Sequence, residues 1–258
     1  MLEVSDLRKT FHAGTVNARK ALDGVSLTLD DGDFAVVIGG NGAGKSTLLN
    51  AIAGEVIADA GRISIAGQDV TRLPTHRRSH LVSRVFQDPL AGSAGSMTIE
   101  ENLALATRRG QSARLAFALT ESRRTLYRQM LEPFGLGLEK RLDHKVELLS
   151  GGQRQSLALA MAVVTLPRII LLDEHTAALD PKTAASVMKA TLQAVQDNRL
   201  TALMVTHNMQ HAIDFGNRLV MMTDGRIIFQ AEGEEKRNLT VEALVERFHL
   251  TDDKMLLA

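Results

Sequence analysis

Gly39-Gly40-Asn41-Gly42-Ala43-Gly44-Lys45-Ser46 fits the pattern G-x-x-x-x-G-K-[ST]. Glycines at this density let backbone N–H groups turn inward around phosphate oxygens. Lys45 would reach the β and γ phosphates as a point charge, and the Ser46 hydroxyl would ligate Mg²⁺. The N-terminus of a following helix adds partial positive charge. A glycine-rich turn with a chance Lys-Ser would have the same letters, but context argues against it. The apolar run Phe34 to Ile38 reads as a buried strand entering the loop, and a helix from Lys45 leaves it, with Leu48, Leu49 and Ile52 on one face and Gly54 as its stop. The loop from Gly39 to Thr47 is therefore expected to hold the phosphates of ATP.

Such a loop needs a carboxylate to hold magnesium from the other side. Ile169 to Leu172 lead directly into Asp173 and Glu174. In a parallel sheet such a strand is buried, and carboxylates at its C-terminal end emerge at the edge where ligands bind. Asp173 would hold Mg²⁺ through water, and Glu174 would accept a proton from the attacking water or orient it. Two acids ending a strand are often only solvated turn residues; the phosphate loop is what gives this pair a partner. Ser150 and Gln153, in Leu149-Ser150-Gly151-Gly152-Gln153, have the S-x-x-Q spacing of a capping box before an apolar helix. The same residues could form a second anion site, and the local sequence leaves both readings open. His207 and His211 have the spacing of two zinc ligands, but Asn208 stands where a zinc protease needs Glu, and no third ligand is evident. Just after the strand Ala202 to Val205, His207 is placed to touch a γ-phosphate; a helix-capping or otherwise satisfied histidine is the rival reading.

The elements that must position these residues read as strands over Leu2 to Leu7, Val25 to Leu29, Phe34 to Ile38 and Arg62 to Ala66, with a connection from Ala13 to Lys20. Asp88 to Met97, rich in Ala, Gly and Ser, predicts a mobile connection, and Thr98 with Glu101 a capping box. Residues 98–148 read as mostly helical, with Arg108-Arg109 and Arg123-Arg124 on exposed faces. Strands and helices then alternate over Ile169 to Leu172, Ala184 to Val195, Ala202 to Val205, Met209 to Phe215 and Leu219 to Met222, and Asp224-Gly225 turns a hairpin into Ile227 to Gln230. This is an α/β core with a helical insert.

At 258 residues, 45% hydrophobic, the chain can bury a substantial core as one domain with room for a subdomain. Thirty basic and thirty acidic residues cancel, and aromatics are only 3%, which disfavours nucleic acid as the main ligand. The absence of cysteine excludes disulfides and thiolate metal sites and allows a reducing cytoplasm. The longest apolar stretch, Leu157 to Leu166, ends at Pro167 at about half the length of a membrane span, so a chain soluble by itself is expected.

With its Leu149 to Gln153 signature intact, the chain resembles the nucleotide-binding domains of ABC ATPases over nearly its whole length and in motif order. The resemblance implies a P-loop NTPase core, about 1–87 and 150–258, with an N-terminal antiparallel β subdomain and a helical subdomain of about 88–149. Gly39 to Thr47 looks like Walker A, Gln87 the Q-loop residue and a further magnesium ligand, Asp173 the end of Walker B, Glu174 the catalytic glutamate, Ala178-Leu179-Asp180 the D-loop at a dimer interface, and His207 the switch histidine. Phe11 resembles the aromatic that stacks on adenine; a strand-end core residue is its other reading. Gly40 and His175 depart from the family, which often has Pro or Ser at the first and commonly Pro at the second. The resemblance further implies a homodimer or heterodimer of ATPase subunits closing head to tail over two ATP molecules, with Ser150, Gly151, Gly152 and Gln153 completing the partner's site. The expected partners are integral membrane permease subunits and a solute-binding protein, and the expected place is the cytoplasmic face of a membrane. Ile169 to Asp180 is similar to the ATPase subunits of amino-acid-type importers. Alternatives are an ABC ATPase serving assembly, lipoprotein release or mechanical signalling, and an ATP-binding module that pairs without turnover, which Glu174 argues against.

Overall fold

A computed structural model of the chain describes residues 1–110 and 119–256, with side chains described through residue 248. Residues 111–118, part of the stretch expected to be helical, lie outside the described residues. In chain order the elements are β1 (Leu2–Phe11), β2 (Arg19–Leu29), β3 (Phe34–Gly39), α1 (Lys45–Ala53), β4 (Ala60–Ile65), β5 (Gln68–Asp69), α2 (Thr75–Arg78), β6 (Val82–Val85), α3 (Ile99–Ala106) and α4 (Glu121–Leu131). There follow α5 (Gly151–Val163), β7 (Ile169–Asp173), α6 (Pro181–Asp197), β8 (Thr201–Val205), α7 (Met209–Asp214), β9 (Arg218–Thr223), β10 (Arg226–Glu232), α8 (Gly233–Arg237) and α9 (Val241–Leu256). They group into two compact units, Met1–Leu73 with Thr201–Ala258, and Pro74–Leu200.

In the first unit, β2-β1-β4-β5 form an antiparallel sheet, and β3 lies between β8 and β9, parallel to both, with β10 antiparallel on β9. Phe34 to Ile38 and all of β8 are buried, which is why they read as unbroken apolar runs rather than alternating ones. β1 extends past Leu7 to Phe11, and β2 begins at Arg19, inside the segment expected to be a connection. The cause is a bulge: Asp6 has φ 45°, and the register with β2 shifts between Val4 and Leu7. Alternation breaks there, so the period-2 signal ends early although the ladder continues.

In the second unit, β6 and β7 pair in parallel. Helices α3, α4 and α5 share one apolar core that includes Ile99, Leu103, Tyr127, Leu131, Leu157 and Met161. Within 98–148, the described residues beyond α3 and α4 make 3₁₀ turns at Glu132–Phe134, Leu138–Lys140 and Val146–Leu148, where Pro133, Gly135 and Gly137 break longer helices. The Asp88 to Met97 connection is tied down rather than loose. Asp88 caps a 3₁₀ turn over Pro89–Gly92, and the Asn102 amide bonds both the N–H and the carbonyl of Ala94. Nor do the arginine pairs lie wholly on exposed faces. Arg124 makes a bidentate ion pair with buried Glu100, and Arg109 donates to the Met161 carbonyl. Thr98–Glu101 and Ser150–Gln153 both form capping boxes. Among the described residues no helix is long and apolar enough to cross a membrane.

Candidate active site

The phosphate loop lies in the first unit. Gly42 and Gly44 have φ 85° and 99°, a left-handed region that only glycine enters cheaply. A Cβ on Gly44 would stand 2.5 Å from the Ala21 carbonyl oxygen, whereas one on Gly40 would meet nothing within 4 Å. That open space explains how a family that often places Pro or Ser at this position can do so. Lys45 is buried, and its Nζ donates to the carbonyls of Gly39 at 2.7 Å and Gly40 at 3.0 Å, which holds the ammonium against the loop. Ser46 is exposed. The Asp224-Gly225 hairpin, whose residues both have positive φ, buttresses the loop: the Gly225 N–H donates to the Ala43 carbonyl at 3.0 Å, and its own carbonyl accepts from the Asp23 N–H at 2.8 Å. Phe11 pairs across strands with Arg19, and Arg19 Nη2 donates to the Gly42 carbonyl at 3.2 Å, so the half-buried Phe11 stands at the strand end beside the loop. Since Val37 pairs with Val205, Gly39 to Thr47 and His207 leave the same end of neighbouring parallel strands. His207 is exposed and does not cap α7. Asn208 does, accepting from the His211 N–H. The His211 ring packs on Phe215, and burial lowers its pKa. Among the described residues no cluster of three or more His, Cys, Asp or Glu could hold a metal ion.

The acidic pair lies in the second unit. Val85 pairs with Leu172, so exposed Gln87 and the Asp173-Glu174 pair also leave one end of two parallel strands. Glu174 has φ 43°, a left-handed turn that takes its side chain off the strand line directly after Asp173. Asp173 Oδ2 accepts from Arg84 Nη2. His175 is buried; Thr191 Oγ1 donates to the Val187 carbonyl, so the His175–Thr191 bond at 3.1 Å has His175 Nε2 as donor. Asp180 caps α6 by accepting from the Thr183 N–H, and the hydrogen bonds from Thr183 hold its carboxyl below the usual range. At the start of α5, Ser150 Oγ accepts from the Gln153 N–H, and Gln153 returns the bond to the Ser150 N–H. The Ser150 hydroxyl keeps its own hydrogen as a donor. Gly152 has a local reason to be glycine, because a Cβ there would run into Thr183 Cγ2.

A family sequence model described as ABC transporter matches residues 22–177. The chain belongs to the ABC transporter family. It is an ATP-binding subunit and an ATPase, with the α/β cassette fold. It is 44% identical over 248 residues to a tyrosine transport ATP-binding protein of Clostridioides difficile (strain R20291), covering 96% of this chain and 98% of that one. It is 34% identical to a thiamine import ATP-binding protein of Shigella flexneri, covering 91% and 93%. Among solved structures it resembles a dimeric ATP-binding cassette in a post-hydrolysis state bound to ADP and Pi, with TM-score 0.77, 30% identity and coverage of 90% and 98%. It also resembles the ADP conformation of another ABC transporter cassette, with TM-score 0.79, 29% identity and coverage of 96% and 98%.

The ABC motifs here offer hydroxyl, carboxylate and amide oxygens from Ser46, Asp173 and Gln87, the hard donors that magnesium takes. Gly225, Arg19 and Arg84 were invisible as site residues from sequence. Arg19 lies 23 residues from Gly42, Arg84 89 residues from Asp173, and Gly225 on the far side of the chain from Ala43, and no local pattern announces such a contact.

Proposed function

We propose that this ABC ATPase drives an importer of amino-acid-type solutes, working as an ATP-closed pair of subunits beneath membrane permease subunits on the cytoplasmic face. In this reading Lys45, the loop N–H groups from Gly39 to Thr47, and His207 hold the triphosphate, with Phe11 against adenine. Ser46, Gln87 and Asp173 hold magnesium, which when bound screens the phosphate charge. The Glu174 carboxylate orients the attacking water and takes its proton. The new P–O bond forms as the bond to the β-phosphate oxygen breaks, leaving ADP and phosphate. Ser150, Gly151, Gly152 and Gln153 of one copy complete the site of the other, Asp180 lies at the contact, and the pair is isologous. Loss of the bridging γ-phosphate opens it. A captured solute would come from a solute-binding protein, and the tyrosine transport relative supports the amino-acid assignment.

The observation that best supports turnover rather than mere binding is the left-handed Glu174, a carboxylate turned off the end of β7 next to Asp173. The importer reading is tested by co-expressing the chain with candidate permeases, reconstituting the complex in vesicles and measuring ATP-dependent uptake of labelled aromatic amino acids. Uptake of tyrosine or a close analogue is expected; ATP hydrolysis with no uptake of any amino acid would overturn the solute class.

A further inference from the structure

Arg84 sits on β6, and its Nη2 donates to Asp173 Oδ2 at 2.6 Å, the two side chains being 10% and 16% exposed. A buried ion pair pays for desolvation of both members and persists only when the geometry is good. This guanidinium is held from a second side, over the Phe86 ring at 4.7 Å. Phe86 is itself fixed, because its carbonyl accepts from Nε2 of Gln155, which is 1% exposed. Arg84 thus links the residue preceding Gln87 to the carboxylate preceding Glu174. Neither the phosphate-loop pattern nor the acidic pair requires an arginine there.

We propose that Arg84 is a positioning residue that shares Asp173 with the magnesium of the nucleotide. It occupies Oδ2, fixes the carboxylate in one orientation and leaves Oδ1 for the metal's water. Guanidinium and metal then draw on a single negative charge, so Arg84 improves the geometry while holding metal affinity down. The inference rests on reading Asp173 as the metal's carboxylate.

The test uses the full chain and the magnesium concentration at which binding of a fluorescent, non-hydrolysable ATP analogue is half-maximal. Arg84→Met should lower that midpoint at least threefold, because a competing cation is gone. Arg84→Lys, which keeps the charge but loses the planar fork and the stacking, should leave it within twofold. Both should lower kcat about tenfold or more with KM for ATP within threefold, a split that a general loss of structure does not produce. If Arg84→Met does not fold, Arg84→Gln carries the same expectation. A midpoint unchanged or raised in the neutral variant refutes the proposal. Asp173→Asn separates the two ideas: if it leaves the midpoint where it is, the reading of Asp173 fails instead.

Discussion

Replacing Gly44 with alanine tests the physical argument about the phosphate loop. Gly44 has φ 99°, where an L-residue pays about 1–2 kcal/mol. The new Cβ would stand 2.5 Å from the Ala21 carbonyl oxygen and 3.3 Å from Gly225 Cα and Leu22 Cδ2. Relieving overlap with fixed backbone costs about 1–3 kcal/mol more. The total, about 2–5 kcal/mol, is a large share of a typical folding stability of about 5–15 kcal/mol. At about 2–4 °C per kcal/mol for a chain of this size, Tm should fall by about 10 °C. Gly40→Ala is the control. It meets nothing within 4 Å and its φ is not positive, so Tm should stay within about 2 °C of the parent. Differential scanning calorimetry of the two variants beside the parent is the assay. Equal Tm values for Gly44→Ala and Gly40→Ala would refute the claim that backbone conformation and close approach, rather than ligand contact alone, demand glycine at 44.

Gly225→Val should weaken ATP binding severalfold through the loop that the hairpin supports, and unaltered affinity in a titration would remove the buttress. Leu131→Ala, fully buried in the helical core, should cost about 3 kcal/mol in a urea melt with little change in ATP affinity, and a cost below about 1 kcal/mol would contradict the packing. Asp59 accepts from Lys9 Nζ and the Thr10 N–H, which hold its carboxyl below the usual range. A lowered folded pKa gives stability that is present above the unfolded value of about 3.9 and lost as pH falls through the folded value. Asp59→Asn should therefore flatten the fall in Tm below about pH 4; identical pH profiles would show that the pair does not contribute.

The parts legible in the sequence were those set by nearby residues. The glycine run before Lys45, the capping boxes at Thr98 and Ser150, the hairpin at Asp224-Gly225 and the buried runs of β3, β7 and β8 each follow from a pattern a few residues long. What escaped depends on residues far apart in the chain. The bulge at Asp6 hid the end of β1 from Arg8 to Phe11, because a change of phase looks like the end of a strand. Arg109 and Arg124 looked like surface charges because Met161 and Glu100, which receive them, could not be paired with them in advance. The same holds for the hairpin, whose turn chemistry was readable while its grip on Ala43, across most of the chain, was not.

In the proposed cycle ATP closes two copies of this chain and Glu174 ends that state by hydrolysis. This cycle is tested most directly by measuring the molar mass of Glu174→Gln by light scattering, first in magnesium and ATP and then in magnesium and ADP. A dimer is expected with ATP, reverting to monomer with ADP. The same mass under both nucleotides, with ATP binding intact, would contradict it.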